Sequence, residues 1–157
     1  MNQLEIFEKP AKKNVDSRNW ELPDAKYLHE CFIGDFDLGI LAFKPRPAHH
    51  FKKLSHMKAH HTKHAGRVVT RLSHKGKATD TVCVSVMLDG VNLKVHRVLW
   101  KMKYGVDPKN LIDHKNGDRL NNSTSNLRDF TYKENAGNTK NSRAKLSNYS
   151  NYQMAFT

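Results

Sequence analysis

Between Asp80 and Gly105 the hydrophobic pattern changes from that of a strand to that of a helix, and this switch dictates a β-hairpin running straight into a helix. In "DTVCVSVML" the residues Val82, Val84, Val86 and Leu88 alternate with Cys83, Ser85 and Met87. Successive strand side chains point to opposite faces, so the first set shares one face. Asp89-Gly90 is a two-residue hairpin signal, and Val91, Leu93 and Val95 resume the alternation. In "VHRVLWKMKYG", Val95, Val98, Leu99 and Met102 then form one helical stripe, with Gly105 as its stop. "RVVTRLS", upstream, reads as a further strand, and a small antiparallel meander results.

The segments before the meander are less regular. Residues 1–26 are polar, mixed in charge and punctuated by Pro10 and Pro23, which is the pattern of a flexible leader. In "DAKYLHECFIGD", Asp24 should cap a short helix that buries Tyr27, Leu28, Cys31 and Phe32 and that Gly34 stops. "FDLGILAFKPRP" places a turn at Asp37 to Gly39 ahead of a strand over Ile40 to Lys44, closed by prolines. The apolar runs are too short to cross a bilayer, so a soluble protein without a membrane partner is expected. Cys31 and Cys83 form neither a CxxC pair nor a disulfide framework, which fits a reducing, cytoplasmic setting.

Charge narrows the class of partner. The 157 residues carry a formal net charge of +12, an excess that a polyanion such as nucleic acid would receive. It is unevenly placed: residues 1–43 hold five Lys or Arg against eight Asp or Glu, whereas residues 44–79 hold ten Lys or Arg and no acid. Lys52, Lys53, Lys58, Lys63, Arg67 and Arg71 are therefore candidate DNA-phosphate contacts. Residues 48–64 also contain six of the ten histidines, and His56, His60 and His64 would share one face of a helix. Neighbouring lysines oppose a cation there, and no carboxylate or cysteine within the segment completes a ligand set. The histidines are read instead as hydrogen-bonding members of a basic surface.

The polar run "LIDHKNGDRLNNSTSNLRDFTYKENAGN" is flanked by short apolar pieces. Leu111 and Ile112 make a brief strand ending in Asp113-His114, Asn116-Gly117 supplies a turn, and Leu127 to Phe130 makes a second strand. Thr131 and Glu134 have the spacing of a capping box, so a helix should begin at Tyr132 with Asn135 in its first turn. Strand, polar loop, strand and helix would bring Asp113-His114 close to Asn135. A neutral imidazole can take a proton from water near pH 7, and a hard ion held by few protein oxygens keeps positions open for phosphate and water.

"VHRVLW", "DHKNGDRLNNSTSNLR" and "KENAGN", in this order, resemble the HNH endonucleases of phages and self-splicing introns. "YLHECFIGDFDLGILAFKPRPAHHF" and "HAGRVV" are similar to the leader of phage-encoded members, so the likeness runs from about Tyr27 to Asn138. It implies an α+β fold in which a small antiparallel β meander precedes a ββα-metal (His-Me finger) module. The organisation expected is a leader over 1–26, a helix, strand and basic His-rich DNA-binding segment over 27–79, a nuclease domain over 80–140 with its ββα motif at 111–140, and an Asn/Ser-rich tail over 141–157.

Carried over residue by residue, the resemblance makes His114 the general base, Asp113 and Asn135 the ligands of one divalent ion, and Asn126 the central asparagine that pins the loop. Asn138 is the alternative ligand and Asn122 the alternative central asparagine. Arg119, Arg128 and Lys133 become phosphate contacts, and His96 a loop-supporting or substrate-facing residue. Many members have histidine where this chain has Asn135, which moves metal preference toward magnesium, with manganese as a substitute. The implied activity is hydrolysis of phosphodiester bonds in double-stranded DNA, by nicking or by cutting both strands, without a small-molecule cofactor. A free-standing phage homing enzyme in the host cytoplasm would fit. The competing readings are a non-catalytic DNA-binding protein on the same scaffold and a packaging-associated phage protein.

Overall fold

Asp24 accepts the Lys26 N–H at 2.7 Å and so caps helix α1 (Ala25–Cys31). The computed structural model describes residues 21–74, 82–131, 133 and 134. Helix α1 ends at Cys31 rather than at Gly34, because Phe32 turns extended and opens strand β1 (Phe32–Asp35). β1 pairs antiparallel with β2 (Ile40–Phe43), and this pairing overrides the helix-stop reading of Gly34. A 3-10 turn (Ala48–His50) then leads to helix α2 (Leu54–His64), which buries none of its side chains.

The meander consists of β3 (Leu72–His74), β4 (Val82–Leu88) and β5 (Val91–Lys94) in that order, all antiparallel. Its β4–β5 turn has Asp89 at φ 48° and Gly90 at φ 84°, the two positive values that a tight hairpin of this twist needs. The strand expected from "RVVTRLS" starts only at Leu72. Before it, the chain lies along β2 instead: Phe43 N–H donates to Arg67 O at 2.9 Å and Val69 N–H to Leu41 O at 2.8 Å. Helix α3 (Val95–Tyr104) follows β5 without a break and ends on Gly105 in the left-handed region. β6 (Leu111–His114) and β7 (Leu127–Phe130) form the last antiparallel pair.

One core joins these parts. Leu28, Phe32 and Leu41 from the N-terminal elements pack with Val84, Val86, Leu93, Val95, Val98 and Leu99 of the meander and α3. The division at residues 79 and 80 is thus a change in charge and not a break in the core. Leu22 also belongs to this core: its N–H donates to Asp107 Oδ1 at 3.2 Å and its carbonyl accepts from Lys101 Nζ at 3.1 Å. Residues 22–26 are therefore part of the fold and not of a leader, because Asp107 and Lys101 satisfy backbone that sequence alone leaves without partners.

Buried Arg46 ties the hairpin tip to α1. Its Nη2 donates to Asp89 Oδ1 at 3.1 Å, its guanidinium also meets the Tyr27 hydroxyl, and its Cζ lies 5.2 Å from the Phe51 ring centre. Burying this charge is tolerable because Asp89, Tyr27 and His50 engage it. Among the described residues no helix is long and apolar enough to cross a membrane.

Candidate functional site

The density of Asn and Asp between β6 and β7 has a structural reason. A loop crossing a buried region must satisfy its backbone without a ladder, and short polar side chains do this locally. Asn116 Oδ1 accepts the Asp118 N–H at 2.9 Å, Asp118 Oδ1 accepts Leu120 N–H at 3.0 Å, and Asn121 Oδ1 accepts Ser123 N–H at 3.2 Å. Asn126 closes the set. Its Oδ1 accepts Asn116 N–H at 3.1 Å, while its Nδ2 donates to Asn121 O at 2.9 Å and to Asn116 Oδ1 at 3.0 Å.

The loop also docks onto the β1–β2 turn. Thr124 donates to Phe36 O through its N–H at 2.8 Å and its hydroxyl at 3.0 Å. Gly39 sits beneath it at φ +72°, where an added Cβ would fall 2.2 Å from Asn122 C and Ser123 N. Only a residue without a side chain permits that approach. Sequence reasoning treated Gly39 as a turn residue alone and missed its contact with the loop.

His114 ends β6 and is buried. Its Nε2 lies 3.1 Å from Asn122 Oδ1, an oxygen that can only accept, so the hydrogen bond assigns the ring proton to Nε2 and the lone pair to Nδ1. Burial pushes the imidazole below the ordinary histidine pKa, against the opposing pull of Asn122 and of the Asp113 charge. The ring of His96, near the start of α3, stands edge-on to it with centroids 5.3 Å apart. Burial holds His96 far below the ordinary value as well, and the charge of Arg119 further disfavours protonation of both rings. Two neutral imidazoles result.

Asp113 precedes His114 and faces Arg128 across the β6–β7 ladder. Its Oδ2 accepts from Arg128 Nε at 2.8 Å and lies 2.7 Å from Nη2, while the guanidinium stacks over Phe130 with Cζ 4.0 Å from the ring centre. Arg128, expected on phosphate, is thus engaged with the carboxylate. That carboxylate is the hard anionic oxygen a magnesium-like ion selects, and Arg128 fixes its orientation. Asn135 and Asn138 lie outside the described residues. The capping box is formed: Thr131 N–H donates to Glu134 Oε2 at 2.9 Å, and Lys133 beside it is helical and exposed.

The basic segment forms a separate region. Lys52, Lys53, Lys58, Lys63, Arg67 and Arg71 are all exposed. The fold does bring a carboxylate to its histidines, which the sequence did not reveal: Glu30, His49 and His50 have ligand atoms within 4.8 Å of one another. The hydrogen bonds argue against an ion there. Arg46 Nε donates to His50 Nδ1 at 3.1 Å, so His50 Nε2 carries the proton it shares with Glu30 at 2.7 Å. A metal-bound histidine donates its other nitrogen's proton to an acceptor, and here that nitrogen faces a donor.

Residues 93–136, which run from β5 through the β6–β7 site, match the family model described as HNH endonuclease. Among solved structures it is similar to one described as "DNA binding and cleavage by the HNH homing endonuclease I-HmuI", with 20% sequence identity and a TM-score of 0.43. That match covers 84% of this chain and 63% of the other, so this chain spans less than two thirds of its length. No curated protein matches the chain.

Proposed function

We propose that the chain is a metal-dependent endonuclease that hydrolyses phosphodiester bonds in double-stranded DNA. The observation that carries the reading is the hydrogen bond from His114 Nε2 to Asn122 Oδ1, which leaves Nδ1 as the basic atom of a neutral ring next to Asp113. His114 Nδ1 takes a proton from a water molecule as that oxygen bonds to phosphorus and the bond to the departing sugar oxygen breaks. Asn122 holds the ring in the tautomer this requires, and Asn126 keeps the loop beneath it closed. Asp113 and Asn135 would hold the ion, magnesium with manganese as substitute, which when bound would neutralise charge on the phosphate and the departing oxygen.

Arg119 and Lys133 contact the phosphates near the reacting bond, and Lys52, Lys53, Lys58, Lys63, Arg67 and Arg71 hold the duplex through its backbone. If about six phosphates are neutralised, affinity should fall on the order of a thousandfold between roughly 50 and 200 mM salt. A free-standing phage homing enzyme acting in the host cytoplasm is the biological setting this chemistry fits.

The test is incubation of supercoiled plasmid with the protein, with and without magnesium and with EDTA. Nicked or linear product that depends on magnesium and disappears with EDTA is expected. Tight DNA binding with no product under any divalent ion would support the non-catalytic reading instead.

A further inference from the structure

Helix α2, the segment leading into β3 and the outer face of β4 enclose a hollow of about 700 Å³. Aromatic rings wall it: His64 lies 4.9 Å from Phe43 and 4.9 Å from His60 between ring centres, and Phe51 lies 5.4 Å from His60. Burial, with smaller contributions from Arg46 and the neighbouring histidines, lowers the His60 pKa to about 4, so this ring presents a neutral π-face. Lys63, Arg67 and Arg71 line the same hollow and are exposed. Asp89 is the acid among the lining residues, and Arg46 and Tyr27 already engage it.

Ser85 Oγ and His60 Nδ1 are closed off behind the wall, so an occupant meets the ring faces and the rim cations. Ser85 is fully buried and lies on the face of β4 opposite Val84 and Val86, together with exposed Met87. An apolar occupant would give the three rim cations nothing to meet. A flat aromatic ring with an attached anion suits both the ring-lined wall and the cationic rim. We infer that the hollow takes one unstacked nucleobase of a bound DNA strand, with the adjoining phosphates held by Lys63, Arg67 and Arg71. The inference rests on the reading of DNA as substrate and adds a second contact to it, outside the β6–β7 site. Base stacking on aromatic side chains is tolerant of sequence because every base has a π-face.

The experiment compares binding of the full chain, by fluorescence anisotropy without divalent metal, to an oligothymidylate strand and to an abasic strand of equal length and charge. The strand with bases should bind roughly tenfold more tightly, the order of one stacked base. His64→Leu and, separately, Phe51→Leu, each checked for folding by circular dichroism, should narrow that preference while leaving affinity for the abasic strand unchanged. Equal binding of the two strands by the unaltered protein, or a full preference retained in both variants, would overturn the inference. Competition by free thymidine monophosphate as effective as that by the strand would also overturn it, by making the occupant a free nucleotide. Plasmid cleavage is read in parallel: magnesium-dependent cleavage without base preference removes the hollow and keeps the nuclease. Base preference without cleavage keeps the hollow and removes the nuclease.

Discussion

The imidazole of His114 and the amide of Asn122 meet at 3.1 Å, across eight residues of sequence, and Asn122 is almost wholly buried. Because this oxygen selects the ring tautomer, Asn122→Ala should lower cleavage by roughly 10- to 100-fold, as loss of an orienting partner commonly does. Asn122→Asp, which keeps an acceptor of nearly the same size, should retain more activity than the alanine variant. Single-turnover cleavage of plasmid by both variants is the check, and an alanine variant as fast as the unaltered chain would remove Asn122 from the account.

Gly39 couples the N-terminal hairpin to the same loop. Its positive φ, and the 2.2 Å at which an added Cβ would meet Asn122 C and Ser123 N, mean that Gly39→Ala must both strain its own backbone and displace the loop. A destabilisation of about 2 to 4 kcal/mol is expected from these two contributions. Urea unfolding measures it, and cleavage should fall with it because Asn122 would move. A variant with unchanged stability would show that the two segments do not touch in solution.

Asn126→Ala should behave differently from the loss of a metal ligand. It removes an acceptor from Asn116 N–H and a donor from Asn121 O, part-buried hydrogen bonds whose loss costs roughly 1 kcal/mol each. Lower thermal stability together with lower cleavage is expected, with no change in the magnesium concentration needed for half-maximal rate. Normal melting with normal cleavage would shift the pinning role to Asn122.

The elements legible in the sequence are those fixed by neighbours along the chain. The β4–β5 hairpin and α3 follow from alternation, Asp89-Gly90 and Gly105, and the Thr131–Glu134 capping box from a spacing of three. The errors lie where distant partners decide. Gly34 looks like a helix stop, but β2 draws Phe32–Asp35 into a sheet, and residues 67–69 lie along β2 before the chain reaches the meander. At the site, the Asn-rich composition announces turns without saying which asparagine meets which backbone group. The Arg128–Asp113 pair depends on the β6–β7 register, and the approach of Glu30 to His50 depends on how α1 packs, so neither is written in local spacing.

Stability should fall as acid is added over a defined window. Burial lowers the pKa of His50, His60, His64 and His96, in the case of His60 from 6.5 to about 4. In the unfolded chain these rings take up protons near pH 6.5, while in the fold they stay neutral to lower pH, so the unfolded state binds more protons as pH falls. Stability is then fully present above pH 6.5 and is lost progressively toward about pH 4. Thermal melts across this range should show the drop, and His60→Leu should make it shallower. A melting temperature flat from neutral pH to pH 4 would contradict the neutral state of these rings in the fold.

The division of labour between His114 and Asp113 is tested most directly by titrating His114→Ala and Asp113→Ala with manganese while following metal binding and DNA cleavage separately. His114→Ala should keep the metal and the DNA while cleavage falls by roughly 100- to 10,000-fold, the range for a lost general base. Asp113→Ala should bind the ion more weakly and need far more of it for any remaining cleavage, since its carboxylate is the anionic ligand proposed. Loss of metal by His114→Ala with retention by Asp113→Ala would exchange the two roles, and normal cleavage by both variants would place the active site elsewhere.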